Sequence, residues 1–284
     1  MFNGRTERRT MHQNRRASLP ASILASIRAR KDRGAGSHSP HDPSSGLLVA
    51  SYNVHKCVGV DGRFDPGRIA QVIREIGADI IALQEADTRF GERRGLLDLN
   101  WMERETGLCP VPVSGVARAH GWHGNVVFFR EGLVRDVHQI KLPGLEPRGA
   151  LLTELDLSDG STFRVIAAHL GLLNRSRQQQ ARMILDILGS RAEHPTVLMG
   201  DLNEWRLGDR SSLNTLATVF GLPAAVPSFP SRLPVLALDR IMANRPGLID
   251  QVQTHDTPLS RLASDHLPIK AVVKIDALAN GAVG

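Results

Sequence analysis

The residues Gly200-Asp201-Leu202-Asn203 carry the side-chain pair whose chemistry is easiest to interpret. The apolar residues 196–199 before them predict a short buried strand, and we expect Gly200 to let the backbone turn where that strand ends. Residues two apart can point the same way, so a carboxylate and a carboxamide could converge on one small polar group. A carboxylate takes a proton from water or binds a hard cation, and an amide donates a hydrogen bond to oxygen without adding charge. This combination suits phosphate chemistry, and an ordinary Gly-Asp-x-Asn turn is the alternative.

Polar or charged residues also close or follow the other apolar runs. They are Asn53, His55, Glu85, His169, Asp239, Asp265 and His266. Open α/β sheets place their sites at such strand ends. Each residue alone has an ordinary explanation: Glu85 as a cap or surface acid, His169 as a satisfied core histidine, and Asp239 as half of a surface ion pair. Together with the pair above they make nine groups that would be costly to bury without a cation or a phosphate to satisfy them.

Apolar and turn patterns predict alternating strands and helices from residue 47 onward. Strands are predicted over 47–52, 79–83, 111–116, 125–130, 134–140, 150–157, 162–168, 196–199, 236–242 and 267–275, and helices over 66–76, 96–106 and 175–188. Asp159-Gly160 predicts a hairpin turn. Helices mixed with antiparallel strands indicate two packed sheets with helices outside, since both faces of each sheet must be covered.

The composition predicts one folded domain over residues 46–284. A chain of 284 residues with 42% hydrophobic content can bury a full core. Cys57 and Cys109 are too few for a disulfide framework, and no apolar run reaches the roughly 18 residues that span a membrane. We therefore expect a soluble, cytoplasmic protein that acts as a monomer.

The formal charge of +6 belongs entirely to residues 1–45, which hold nine Lys and Arg against three acids. This composition predicts a disordered basic tail. Within it, residues 18–30 could form an amphipathic helix for an anionic membrane surface, and a solvated extension is the alternative. The remaining chain carries equal numbers of both signs, which weakens the case for a domain that tracks a nucleic acid along one face.

Six short motifs, in chain order, resemble the motif series of the endonuclease/exonuclease/phosphatase superfamily. They are Ser51-Tyr52-Asn53-Val54-His55, Leu83-Gln84-Glu85, Ala168-His169-Leu170, Gly200-Asp201-Leu202-Asn203, Leu238-Asp239-Arg240-Ile241 and Ser264-Asp265-His266-Leu267. The resemblance spans about residues 47 to 275. It implies an α/β fold, a four-layer α/β/β/α sandwich of two mainly antiparallel mixed sheets flanked by helices. It also implies a hydrolase that uses Mg²⁺, or alternatively Mn²⁺, to cleave phosphate esters with an activated water.

The same resemblance implies roles for individual residues, and their chemistry supports each role. Glu85 and Asn53 would bind the metal, and Asp265 would bind a second metal. The catalytic residues would be His169, Asp201, Asn203, Asp239 and His266. Asp201 would orient or deprotonate the water, and Asp239 would hold the ring of His266 in one tautomer.

Three further residues are weaker candidates for phosphate binding. His55 stands where several nucleases of the family have a metal-binding acid, so its imidazole either weakens a second metal site or contacts phosphate. Arg148 could bind phosphate or be an exposed loop arginine. His120 lies in a predicted loop that we place at the substrate mouth.

The substrate class stays open at this stage. Only 4% of residues are aromatic, which disfavours stacking on bases. A phospholipid headgroup or small phosphoester is the first interpretation, DNA or RNA cleavage is the alternative, and a non-catalytic binding module of the same fold is a third.

Overall fold

The computed structural model describes residues 46–116, 118–157, 160–206, 208, 211–222 and 224–274. The basic tail, with its predicted amphipathic segment, lies outside the described residues. So do Ser158 and Asp159 of the predicted hairpin turn. The division of the chain at residue 45 therefore stays a prediction.

Eleven strands and five α-helices are found in the part of the chain that the structure describes. The strands are β1 (Leu47–Asn53), β2 (Ile80–Gln84), β3 (Cys109–Pro110), β4 (Val126–Phe129), β5 (Leu133–Lys141), β6 (Gly149–Asp156), β7 (Thr162–His169), β8 (Thr196–Asp201), β9 (Asp239–Ala243), β10 (Gln253–Thr254) and β11 (Ile269–Val273). The helices are α1 (Pro66–Ile76), α2 (Leu99–Thr106), α3 (Asn174–Gly189), α4 (Ser212–Phe220) and α5 (Pro258–Ala263).

The strands form two sheets of similar design. The first sheet has the order β10-β11-β1-β2-β4-β3, and the second has the order β5-β6-β7-β8-β9. Each sheet is mainly antiparallel but contains one parallel pair, β1 with β2 and β7 with β8. The carboxyl ends of a parallel pair lie at the same edge of a sheet, so each sheet brings two strand ends together.

Three apolar layers hold the sheets and helices together. Val49 and Met199 belong to the cluster between the sheets, because it contains residues of both. Ala50 and its neighbours on the other face of β1 pack against α1 and α2, and Leu198 packs with Ile184 of α3 on the outside of the second sheet. Four layers in the order helices, sheet, sheet, helices follow, which confirms the predicted sandwich.

Local sequence fixes the first helix where it was predicted. The side chain of Asp65 accepts a hydrogen bond from Arg68 N at 2.9 Å, and Pro66 begins the helix. Gly77 ends it in the left-handed conformation. An N-cap, an initial proline and a final glycine are the usual signals for helix ends, which explains why these bounds could be read from the sequence.

One predicted strand is wrong. Residues 111–116 form no strand, and only Val111 continues the pairing of β3 through a hydrogen bond to Val127 O. Pro112 has no N–H to donate, and Ser114 bonds instead to the side chain of Gln139. The apolar alternation of this segment therefore reflects packing against the core without strand pairing. Helices α4 and α5 and the short strand β10 were missed.

Gly200 also plays a different part from the one predicted. It lies inside β8, which continues to Asp201, and it does not turn the chain out of the sheet. A Cβ at Gly200 would lie 1.8 Å from Ala168 O on β7. Glycine is therefore required because the backbones of β7 and β8 approach closely just before their functional ends.

No helix among the described residues is long and apolar enough to cross a membrane.

Candidate active site

Three of the predicted site residues lie side by side on neighbouring strands of the second sheet. His169 ends β7 and pairs with Asp201 at the end of β8, which in turn pairs with Asp239 at the start of β9. All three side chains are buried, with 3% or less of their surface exposed. Backbone pairing therefore fixes the spacing of one imidazole and two carboxylates across three strands.

His266 completes this row from the loop before β11. Its Nδ1 lies 2.8 Å from Asp239 Oδ2, and its Nε2 lies 3.8 Å from Asp201 Oδ2. The ring packs against Phe229, and Ser228 Oγ donates a second hydrogen bond to Asp239 Oδ2. The imidazole thus lies between two buried carboxylates, one that orients it and one that faces the site.

Burial and charge act in opposite directions on His266. Burial alone would lower its pKa, but the carboxylates of Asp239 and Asp201 outweigh burial and raise the pKa to about 10. Burial raises the pKa of Asp201 to about 6, although the His266 charge opposes that shift. At neutral pH the arrangement therefore holds a protonated imidazole beside an ionised carboxylate.

Asp201 also connects the two sheets. Its Oδ2 accepts a hydrogen bond of 2.9 Å from Asn53 Nδ2 at the end of β1. Its Oδ1 accepts another from the backbone N–H of Asn203. Asn53 has the same parity along β1 as Val49, so its side chain is on the face between the sheets. One carboxylate therefore joins the functional ends of both sheets.

Arg148 and His169 form a second contact pair at the same edge. Arg148 Nη1 lies 2.9 Å from Nδ1 and 2.7 Å from Nε2 of the histidine, so the ring nitrogen without a proton accepts its hydrogen bond. Glu146 holds the other side of the guanidinium. Burial and the charge of Arg148 keep the pKa of His169 well below its ordinary value, so this imidazole is neutral. The site thus contains one charged and one neutral imidazole.

An open cavity lies beside these residues. It is lined by Lys56, Glu85, Asp87, Arg89, Arg93, His123, Pro147, Arg148 and His169. Five of its lining residues have positive φ angles although none is glycine: Lys56, Glu85, Arg89, Arg93 and His123. Such conformations are unfavourable for ordinary residues and are found at functional sites that the surrounding structure holds in place.

Glu85, the predicted metal ligand, lines this cavity and pairs with a lysine. Lys56 lies on a turn after β1, and its backbone N–H bonds to Glu85 O at 3.1 Å. Its Nζ is 3.0 Å from Glu85 Oε2. That oxygen is buried and has no partner of hydrogen-bond geometry. Glu85 therefore offers an anionic oxygen whose counter-charge is a flexible ammonium.

The remaining predicted residues lie around this centre. Asn203 has a positive φ of 51° and donates from its side chain to Leu170 O, which holds it beside the end of β7. Asp265 and His55 face each other at 3.7 Å and are about one-third exposed. His120 packs against Gly95 and is not among the residues that line the cavity. The geometry does not by itself assign any of these residues a role.

Sequence reasoning missed the cationic part of the cavity. Lys56, Arg89 and Arg93 were not among the candidates, although all three follow the motifs that end at His55 and Glu85. The available signal was Lys56 directly after His55; Arg89 and Arg93 come four and eight residues after Glu85 and gave no such signal. Their positions could not be interpreted without the left-handed turns that direct these side chains toward the cavity.

A buried ion pair supports the site from outside. Arg177 Nη2 lies 3.0 Å from Glu204 Oε2, with both side chains almost fully buried. The same guanidinium bonds to Gly171 O. It therefore joins the loop after His169 to the loop after Asn203.

Comparison with known proteins identifies the family. The model of the Endonuclease/Exonuclease/phosphatase family matches residues 50–266, which contain the six motifs named above except for Leu267, the last residue of the sixth. The chain belongs to this family. Its members generally hydrolyse phosphoester bonds and usually depend on a metal ion.

One curated relative and two solved structures illustrate the similarity. The uncharacterized Escherichia coli K12 protein YbhP is 28% identical over 255 residues, which cover 80% of this chain and 96% of that protein. A Bacteroides thetaiotaomicron mannosyl-6-phosphatase superposes with a TM-score of 0.61 at 18% identity, over 79% of this chain and 98% of that one. D. rerio TDP2, solved with a single-strand DNA product, gives 0.55 at 17% identity, over 80% and 98%. At these identities the two structures show a shared fold.

Proposed function

We propose that this protein is a metal-dependent phosphoesterase that cleaves a small phosphodiester or phosphomonoester by in-line attack of water. The proposal depends on a series of side-chain contacts that crosses from one sheet to the other: Asp239 to His266, His266 to Asp201, and Asp201 to Asn53. This series brings a protonated imidazole, an ionised carboxylate and an amide around one small region of the site. In-line displacement at phosphorus needs such positioning and charge neutralisation rather than a protein nucleophile.

The donor set is compatible with Mg²⁺. Glu85 Oε2 is an anionic oxygen without a hydrogen bond, and hard oxygen donors are what Mg²⁺ prefers. Asp201, Asp239 and His266 also offer ligand atoms within 4.8 Å of one another. A protonated imidazole has no lone pair for a metal, so we assign the ion to Glu85, with Asn53 beside it. Mg²⁺ would supply neutralisation of phosphate charge there.

The other residues act through protons and hydrogen bonds. Asp201 is ionised above about pH 6 and can orient the attacking water and accept its proton. His266 can donate from Nε2 to a phosphate oxygen, while Asp239 holds Nδ1. Neutral His169 can donate a further hydrogen bond without adding to the positive charge of Arg148.

The cavity lining favours a charged substrate such as a small phosphoester. Six of its nine lining residues are charged, and four of these are cationic. The B. thetaiotaomicron neighbour is named as a sugar phosphatase, which agrees with a compact phosphoester. A phospholipid headgroup presented at an anionic membrane surface would be chemically equivalent at the cleaved bond.

Cleavage of DNA or RNA is the second candidate, because a neighbour was solved with single-strand DNA. The four cationic residues of the cavity lining could contact a nucleic-acid backbone. The neutral charge of residues 46–284 disfavours it, since most phosphate contacts would have to come from a body without a basic excess.

Hydrolysis of bis-p-nitrophenyl phosphate tests the proposed function. We expect turnover with Mg²⁺ or Mn²⁺, loss of turnover in EDTA, and recovery when metal is restored. Turnover that persists undiminished in a chelator contradicts the metal mechanism. A protein that binds phosphate but never turns over would support the binding-module alternative.

A further inference from the structure

The loop of residues 87–95 is organised around one buried carboxylate. Asp87 is 4% exposed, and its Oδ1 accepts a hydrogen bond from Arg89 N at 2.8 Å. Its two oxygens also accept from Arg93, at 2.7 Å from Nε and 3.2 Å from Nη2. Arg93 Nη1 then donates to Arg89 O at 2.9 Å. Asp87 and Arg93 together therefore fix the backbone of Arg89 from both of its ends.

Arg93 is neutralised by this arrangement, but Arg89 is not. Arg89 lines the cavity with a φ of 64°, and its guanidinium lies 5.5 Å from the centre of the Phe90 ring. No carboxylate of the described residues forms an ion pair with it. Arg89 lines the same cavity as His169, the histidine that contacts Arg148. The left-handed backbone conformation of Arg89, which is unfavourable for a residue other than glycine, thus holds a guanidinium that has no carboxylate partner.

The other three cations of the cavity each have a carboxylate. Lys56 pairs with Glu85, Arg93 with Asp87, and Arg148 with Glu146. A cation that is half-buried and unpaired in a cavity is satisfied when a ligand brings the opposite charge. The proposed function already assigns Asp201 to the attacking water and the imidazoles of His266 and His169 to the cleaved phosphate. The charge of Arg89 therefore remains for another group of the same ligand.

We propose that Arg89, held by Asp87 and Arg93, forms a second anion subsite that binds an oxyanion of the substrate other than the phosphate that is cleaved. The substrate class is then a small phosphoester that carries a second anionic group. A guanidinium suits this role because its fork of N–H groups can bind two oxygens of one phosphate or carboxylate. The proposal rests on the proposed function for the identity of the first phosphate, and its test does not depend on turnover.

The test is a binding measurement with two matched probes. Propyl phosphate and propane-1,3-diyl bisphosphate share a carbon chain and a first phosphate and differ only in the second. Each is titrated calorimetrically into the full chain in EDTA, so that no hydrolysis occurs. We expect the wild type to prefer the bisphosphate by about tenfold or more, the size of one good charge-assisted contact.

Arg89→Gln should bring that preference to within about twofold of one, because a polar side chain is kept while the positive charge and the guanidinium fork are lost. Arg89→Gly must give the same result, since glycine adopts the positive φ of this position without strain and protects the test against misfolding. Arg94→Gln is the matched control. It removes the same charge from an exposed residue of the same loop that does not line the cavity, and it should keep the wild-type preference.

Three results would overturn the subsite: no preference in the wild type, an unchanged preference in both Arg89 variants, or an equal loss in Arg94→Gln. The last result would mean that only the general charge of the loop is sensed. A protein with an Arg89-dependent preference but no hydrolysis of any phosphoester would keep the subsite and contradict the proposed function. A protein that hydrolyses phosphoesters but shows no Arg89-dependent preference would keep the proposed function and contradict the subsite.

Discussion

The two sheets contribute to the site in contrasting ways. The second sheet supplies His169, Asp201 and Asp239 from regular, paired strands, and all three are at most 3% exposed. The first sheet supplies Lys56 and Glu85 from left-handed turns, with side chains 34% and 19% exposed. Strand-borne groups are held by the backbone ladder, whereas groups on turns can move with a ligand. We propose that the strand-borne groups, together with His266 beside them, handle protons and that the groups on turns recognise charge.

Asp201→Asn tests the second sheet most severely. It removes the carboxylate that joins the ends of β8 and β1 but keeps the size of the side chain. We expect kcat for bis-p-nitrophenyl phosphate to fall about 10³-fold or more, the loss typical of a positioned base together with its electrostatic effect. Asp186→Asn, on the exposed face of α3, is the control and should leave kcat unchanged. A loss below about tenfold would place proton transfer elsewhere.

His266→Ala and Asp239→Asn test whether that imidazole and that carboxylate act as a unit. Each should lower kcat by roughly 10²-fold with the fold intact, and the double variant should be little worse than His266→Ala alone. The 2.8 Å contact between them motivates this expectation, because Asp239 then acts through His266. Effects that multiplied in the double variant would contradict the pair.

Substitutions in the groups that the first sheet supplies should change the affinity for a metal ion. Glu85→Gln should weaken Mn²⁺ binding, followed by electron paramagnetic resonance, by about tenfold or more, since a charged oxygen ligand is lost. Lys56→Met should strengthen it, because the ammonium 3.0 Å from Glu85 competes with the metal for that carboxylate. Weaker Mn²⁺ binding in Lys56→Met would show that the lysine does not compete.

The pH dependence of stability tests the buried Asp239–His266 pair and needs no substrate. The pKa of His266 is raised to about 10, so the folded protein binds this proton more tightly than the unfolded chain does. Its stabilising effect is complete below about pH 6.5, the ordinary pKa of histidine, and is lost as pH rises through 10. In EDTA, Tm should therefore fall between about pH 7 and 10.5. Asp239→Asn should flatten that fall, and an equally steep fall in this variant would exclude Asp239 as the cause.

Sequence reasoning could identify the candidate residues that end strands, because the end of a strand can be recognised from the sequence. An apolar run followed by a polar residue identified Asn53, Glu85, His169 and Asp201, and their approach follows from two parallel pairs. The family resemblance supplied their assembly into one sandwich. The turn geometry could not be predicted, because the residue types around Arg89 do not indicate a φ of 64° at that position.

Errors in the fold have a similar origin. The wrong strand at 111–116 had the correct apolar alternation but contained Pro112, whose missing N–H prevents continued pairing. The role of Gly200 was misjudged because its cause is non-local. Glycine is needed at this position because the backbone of Ala168 on the adjacent strand leaves no room for a Cβ, and not because its own segment turns there. Contacts between distant segments are not encoded in periodicity.

The smallest effect is expected from removal of residues 1–45, because the strands of the described residues all lie between residues 47 and 273. β1 begins at Leu47, which pairs with Val273, and Gly46 packs against the backbone of that residue, so a chain that starts at 46 keeps each of these strands. Its Tm should change by no more than about 2 °C, with turnover of bis-p-nitrophenyl phosphate unchanged, because the sequence predicts a solvated tail there and such a tail contributes little to the core. Plasmid DNA then separates the substrate classes. If the tail carried a nuclease to DNA, its removal should weaken binding and make the salt dependence shallower, since fewer counterions are released. Efficient nicking of plasmid by residues 46–284, abolished by Asp201→Asn, would instead make nucleic acid the substrate of the two-sheet site itself.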